Sequence, residues 1–164
     1  MASSRMLETY CADIENLLRE GLGRSAFKAS LALPDISAAL EDPTMTSSRD
    51  RYVTWCDSWL ALEAHVSGRP VDGARLYGAY VGRRALTVHA DLTAAALGRL
   101  RMSRRTRRRL SLSRPSVAPP VNRLQAFQVR LTEALLAASR RWYGEKGAAA
   151  VMVQRNLGRL LVSG

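Results

Sequence analysis

Apolar residues return every three or four positions along most of this chain, a period that admits helices and little else. Between Ser4 and Arg19 the returning positions are Leu7, Tyr10, Cys11, Ile14, Leu17 and Leu18, with Glu8, Asp13 and Glu15 on the other side. Gly21-Leu22-Gly23 ends or bends this first helix. A second helix is expected over Ser25 to Leu40, with Leu31, Ile36 and Leu40 as its apolar side. Pro34 interrupts it: proline lacks the N–H a helix interior needs, so the helix kinks there or a new one begins.

After a loop at 41–46, Ser47 stands three residues before Asp50 and can cap a third helix. That helix carries Tyr52, Trp55, Cys56, Trp59, Leu60 and Leu62 to about Val66, with its two tryptophans on one face as core anchors and His65 as a structural residue. Ser67-Gly68-Arg69-Pro70 is a turn, and Asp72 can cap the fourth helix. The stretch Leu76 to Asp91 reads as helix throughout, its stripe formed by Tyr77, Tyr80, Val81, Arg84 and Val88. Arg84 thus occupies a position where the pattern asks for an apolar residue. A polar group there needs a partner, and Asp35, Asp57 and Asp91 are the candidate carboxylates.

Helix continues through Leu97 and then meets six arginines in nine positions, at 101, 104, 105, 107, 108 and 109. Leu110-Ser111-Leu112-Ser113 alternates like a short strand or hairpin arm, and Pro115 to Pro120 favours extended backbone. Asn122 can cap a long helix with Leu124, Phe127, Leu131, Leu135, Ala138 and Trp142 on its stripe. A weaker apolar helix spans about Ala148 to Leu161, with Arg155 and Arg159 exposed. The expected fold is all-α: an antiparallel bundle of four to six helices in a single domain, 1–164, with a basic linker at about 99–121 before the last long helix.

Charge is divided along the chain. Residues 1–82 hold 8 Lys/Arg against 11 Asp/Glu, a net of −3, whereas residues 83–164 hold 17 against 3, a net of +14. A polyanion is the natural partner of the second half, so RNA, or else DNA, is the expected ligand of Arg83, Arg101, Arg104, Arg105, Arg107, Arg108 and Arg109. Such contact recognises phosphate and is silent on sequence. Arginine outnumbers lysine 23 to 2, a bias that GC-rich coding also produces. Cys11 and Cys56 fall within apolar helical patterns, have no CxxC spacing and read as buried thiols of a reducing compartment; no metal or other cofactor is expected. The first residues enter an amphipathic pattern that contains acids, and no apolar run reaches the ~18–20 residues a bilayer demands. A cytoplasmic location without membrane association is therefore expected.

Four short patches succeed one another in an informative order: Leu33-Pro34-Asp35, then Tyr52-Val53-Thr54-Trp55, then Arg84-x4-His89, then a late helix ending in Arg141-Trp142. In that order, and over nearly the whole length, the chain resembles a group of small bacterial proteins related to HEPN domains. The resemblance implies a helical bundle that pairs into a homodimer, with the arginine and histidine of both protomers near the interface. It further implies a metal-independent endoribonuclease, in which His89 transfers protons at the 2′-hydroxyl and leaving oxygen and Arg84 holds the scissile phosphate. The chemistry suits the side chains: imidazole titrates near neutrality, and guanidinium matches a phosphorane. Active members carry a polar residue directly after the motif arginine, where this chain has Ala85. The alternative is a non-catalytic nucleic-acid-binding or scaffold protein with a degenerate motif, or a bundle that docks a protein partner.

Overall fold

The helix at the centre of the fold is the short one that carries Pro34 in its first turn. The computed structural model describes residues 2–66, 69–82, 89–106 and 123–162. Within them the chain forms α1 (Ala2–Arg19), α2 (Gly23–Ser30), α3 (Leu33–Leu40), α4 (Arg49–Trp55), α5 (Gly73–Val81), α6 (His89–Thr106), α7 (Arg123–Trp142) and α8 (Val151–Val162). All eight residues of α3 are buried. A helix apolar on every side must be enclosed on every side, and α4, α6, α7 and α8 all pack against it. The architecture is a helical bundle built around α3.

Pro34 begins the new helix rather than kinking the old one, since its missing N–H is harmless in a first turn. The break exposes carbonyls at the end of α2, and two buried phenols serve them. Tyr10 donates to the Ala29 carbonyl and Tyr52 to the Leu31 carbonyl, each at 2.9 Å. The other end of α3 is held by α7 and α8. Asn156, fully buried, donates to the Leu40 carbonyl at 3.0 Å and the Asp42 carbonyl at 2.7 Å. Trp142 Nε1 and Lys146 Nζ each reach one oxygen of Glu41, at 2.7 and 2.8 Å. Arg140 ties α7 to α1 through Glu8 and Glu15, both at 2.6 Å.

Several sequence expectations shift. The N-cap of α4 is Ser48, whose hydroxyl accepts from Arg51 N, and not Ser47. The third helix does not run to Val66. After Trp55 it widens into a π-helical turn, Cys56–Leu60, closed by Ala61 N on the Cys56 carbonyl at 3.0 Å. His65–Val66 (β1) then pairs antiparallel with Arg69–Pro70 (β2), so His65 lies in a minimal hairpin. Backbone pairing takes the place of the last helical turns. A second π turn, Tyr143–Gly147, follows α7. Asp72 caps α5 as expected, accepting from Ala74 N at 2.9 Å. The stretch from Leu76 to Asp91 is not one uninterrupted helix, because Gly82 ends α5 at φ 64° and ψ −156°, a backbone that strains any L side chain. On the basic side, α6 continues to Thr106, so the first residues of the expected linker are helical. The alternating segment 110–113, the proline stretch and the Asn122 cap lie outside the described residues.

The buried Asp42 carboxylate lies well below the usual carboxylate range, because the Thr44 hydroxyl and backbone N–H donate to it and Arg51 pairs with it at 2.6 Å. A carboxyl depressed in the folded state stabilises fully above its unfolded pKa, ~3.9 for aspartate, and loses that contribution as pH falls further. Asp42→Asn is expected to cost about 1 kcal/mol at pH 7 in urea unfolding. The gap to wild type should shrink on acidification below pH ~4; a gap independent of pH would show that the Asp42 charge contributes nothing.

Candidate functional site

Asp35 sits in the first turn of α3 with no exposed surface. A carboxylate in such a place needs hydrogen-bond donors, since desolvation of an ion costs several kcal/mol. Two of them are hydroxyls from different helices. Tyr80 Oη, near the end of α5, and Thr93 Oγ1, near the start of α6, both donate to Asp35 Oδ2 at 2.9 Å. The segment between those donors contains Arg83, Arg84 and His89. One buried oxygen therefore anchors the chain on either side of the Arg-x4-His motif.

Aromatic rings enclose the node. Tyr52 stacks on Tyr80 with centroids 5.3 Å apart and meets Tyr77 edge-on at 5.4 Å. The Arg49 guanidinium lies 6.0 Å from the Tyr77 centroid. Burial raises the Tyr80 phenol well above its ordinary range, and the Asp35 charge adds to the rise. Tyr52 is raised likewise, chiefly by burial. Burial pushes Tyr10 up to about 12, against the lowering effect of the nearby Arg99, which also acts on Tyr80. These phenols remain protonated at neutral pH and serve as donors. The thiols are equally inert: burial pushes Cys11 up to about 12 and raises Cys56 strongly.

Two of the four patches thus meet, beside residues that flank the third in sequence. Asp35 comes from the Leu-Pro-Asp element and Tyr52 from the Tyr-x-x-Trp element, while Tyr80 and Thr93 flank Arg84-x4-His89. The fourth patch lies elsewhere: Trp142 is bonded to Glu41, and Arg141 pairs with Glu63 at 3.3 Å. Of the named candidates, Arg83, Arg84, Arg107, Arg108 and Arg109 lie outside the described residues. The α6 backbone is described from His89 and carries Arg104 and Arg105, whose side chains, like that of His89, are also outside the description. Arg101 is exposed on α6. Asp57, one of the three carboxylates considered for Arg84, is exposed, which leaves Asp35 as the described buried one. Tyr80, Thr93 and Arg99 were not singled out by the sequence; the stripe of Tyr77, Tyr80 and Val81 read simply as apolar.

Among the described residues no group of three or more His, Cys, Asp or Glu side chains could hold a metal ion. Among them, too, no helix is long and apolar enough to cross a membrane. No family model, curated protein or solved structure matches the chain.

If Asp35 fixes both flanks of the motif segment, removing it loosens them together. In Asp35→Ala, amides of Gly78–Val81 and Thr93–Leu97 should exchange hydrogen about tenfold faster or more, while those of α8 hold their protection. Exchange mass spectrometry reads this directly, and unchanged protection on either flank would remove the anchoring role.

Proposed function

We propose that this chain is a HEPN-like, RNA-engaging helical protein that acts as a metal-independent endoribonuclease through Arg84 and His89. The observation that supports the reading is the Asp35 node, in which the Leu-Pro-Asp and Tyr-x-x-Trp elements meet and Asp35 accepts from Tyr80 and Thr93, which flank the Arg84–His89 segment in sequence. In this reading the 2′-hydroxyl attacks the adjacent phosphorus and the 5′-oxygen leaves. His89 takes the hydroxyl proton or supplies one to the leaving oxygen, and Arg84 balances charge on the phosphorane. Arg101 and the arginines at 104, 105, 107, 108 and 109 guide the strand by its phosphates. The active species is a homodimer in the cytoplasm.

A second reading keeps the RNA and drops the chemistry. Gly82 ends α5 two residues before Arg84, so the motif does not belong to α5. Ala85, in place of a polar residue, favours this second reading.

Incubation with mixed single-stranded RNA in EDTA separates the two. Cleavage by wild type that falls at least about a hundredfold in His89→Ala supports catalysis. Equal, negligible cleavage by both removes it. RNA binding that survives His89→Ala yet weakens and loses salt dependence when Arg104, Arg105 and Arg107 to Arg109 are neutralised leaves the binding role. If neither cleavage nor binding occurs, both readings fail.

A further inference from the structure

The two most exposed large apolar side chains among the described residues both belong to α8: Val151 at 84% and Val162 at 87%. They stand three helical turns apart, about 16 Å along the axis. Arg155 and Gly158 fall between them at spacings of three and four, so all four share one outward stripe. The opposite side of α8 is spent on the bundle, where Val153, Asn156, Leu157 and Leu160 are buried. The two valines therefore contribute nothing to the core of this chain.

Gly158 is a second observation at the same place. Glycine inside a helix costs stability relative to alanine, because its backbone loses more freedom on folding. Nothing in the chain makes use of the missing side chain: a Cβ at 158 would meet no atom within 4 Å. Its absence becomes useful where another backbone comes close, since the side chains at a contact set how near two helices can pack. A glycine between two valines makes a shallow saddle one helix wide.

Charge narrows the occupant. Helix α8 carries Arg155 and Arg159 and no acid. Arg159 leans back onto the Pro43 carbonyl at 3.2 Å, whereas Arg155 is exposed on the stripe, its guanidinium against the Met152 sulfur at 3.0 Å. A second copy docked about a two-fold axis at Gly158 would set arginines against arginines, with no carboxylate on either helix to answer them. Nucleic acid would meet one outward cation between two valines, where phosphate binding draws on several. Helices that lie on a bilayer present a broad apolar face with large side chains, and two valines are not one. What fits is a helix with apolar ends and a negative middle.

We infer that the outer face of α8 docks an acidic amphipathic helix of a partner protein. Its apolar side chains lie beside Val151 and Val162, its backbone crosses at Gly158, and its carboxylate pairs with Arg155. This inference is independent of the Arg84–His89 reading and would survive its failure.

The test is titration of the full chain into a fluorescein-labelled, alanine-based helical peptide that has leucines three turns apart and glutamates between them. The control is the same peptide with lysine for each glutamate. The glutamate peptide should bind at least about tenfold more tightly. Arg155→Glu should reverse that preference, which loss of fold cannot do. Gly158→Ala should raise the melting temperature by about 3 °C, because alanine is the better helix former and the space is open. The same variant should bind the glutamate peptide about fivefold more weakly. A gain in stability joined to a loss of affinity separates docking from folding. No binding of the glutamate peptide, equal binding of the two peptides, or unchanged affinity in Gly158→Ala overturns the inference. Self-association of the free chain that Arg155→Glu abolishes would assign the face to a second copy, and displacement of the peptide by single-stranded RNA would assign it to nucleic acid; either overturns the partner assignment.

Discussion

An aspartate with no exposed surface, in a helix buried on every side, is the constraint around which this structure is arranged. Helix α3 cannot turn its polar groups to water, so its neighbours must bring partners to it. They do so at both ends. At the start, Tyr80 and Thr93 donate to Asp35, and the Tyr10 and Tyr52 phenols serve the carbonyls freed by Pro34. At the finish, Asn156, Trp142 and Lys146 serve Leu40, Glu41 and Asp42. The apolar faces supply most of the burial energy, while these directional bonds decide how each helix is set against α3.

This arrangement explains what the sequence made legible. A helix interior is a local matter of period and caps, so α1, α7 and α8 follow from spacing alone. Pro34 and Asp72 act on their own backbone and are equally readable. The π turn at Cys56–Leu60 is different, because i→i+4 and i→i+5 bonding use the same residues and no local signal separates them. Packing supplies one: Gly73 lets α5 approach so closely that a Cβ would meet Cys56 Cβ at 2.9 Å and the Val53 carbonyl at 3.1 Å. The Gly82 break could have been weighed from its residue type, but glycine inside an amphipathic stretch is tolerated often enough to be passed over.

The candidate site was legible in part for a related reason. Arg84 stood out because charge interrupts a stripe, and the search for its carboxylate reached Asp35. Tyr80 escaped notice because tyrosine fits an apolar stripe with its ring while its hydroxyl does polar chemistry. Thr93 looked ordinary on a helix of alanines. Their common partner is 58 residues upstream of Thr93 and 45 upstream of Tyr80, a separation no local pattern spans. Trp59 packs against the core as its spacing from Trp55 suggests, although it is only half-buried.

The node also limits any chemistry performed beside it. A carboxylate fixed in a region of low dielectric repels phosphate at close range far more strongly than the same charge in water. A strand brought to the Arg84–His89 segment therefore requires cations between its phosphates and Asp35. Arg99 is a cation in this neighbourhood: its charge reaches the Tyr10 and Tyr80 phenols and opposes the effect of burial on both. Part of the positive charge after residue 82 thus acts locally, through Arg99 on the Tyr10 and Tyr80 phenols.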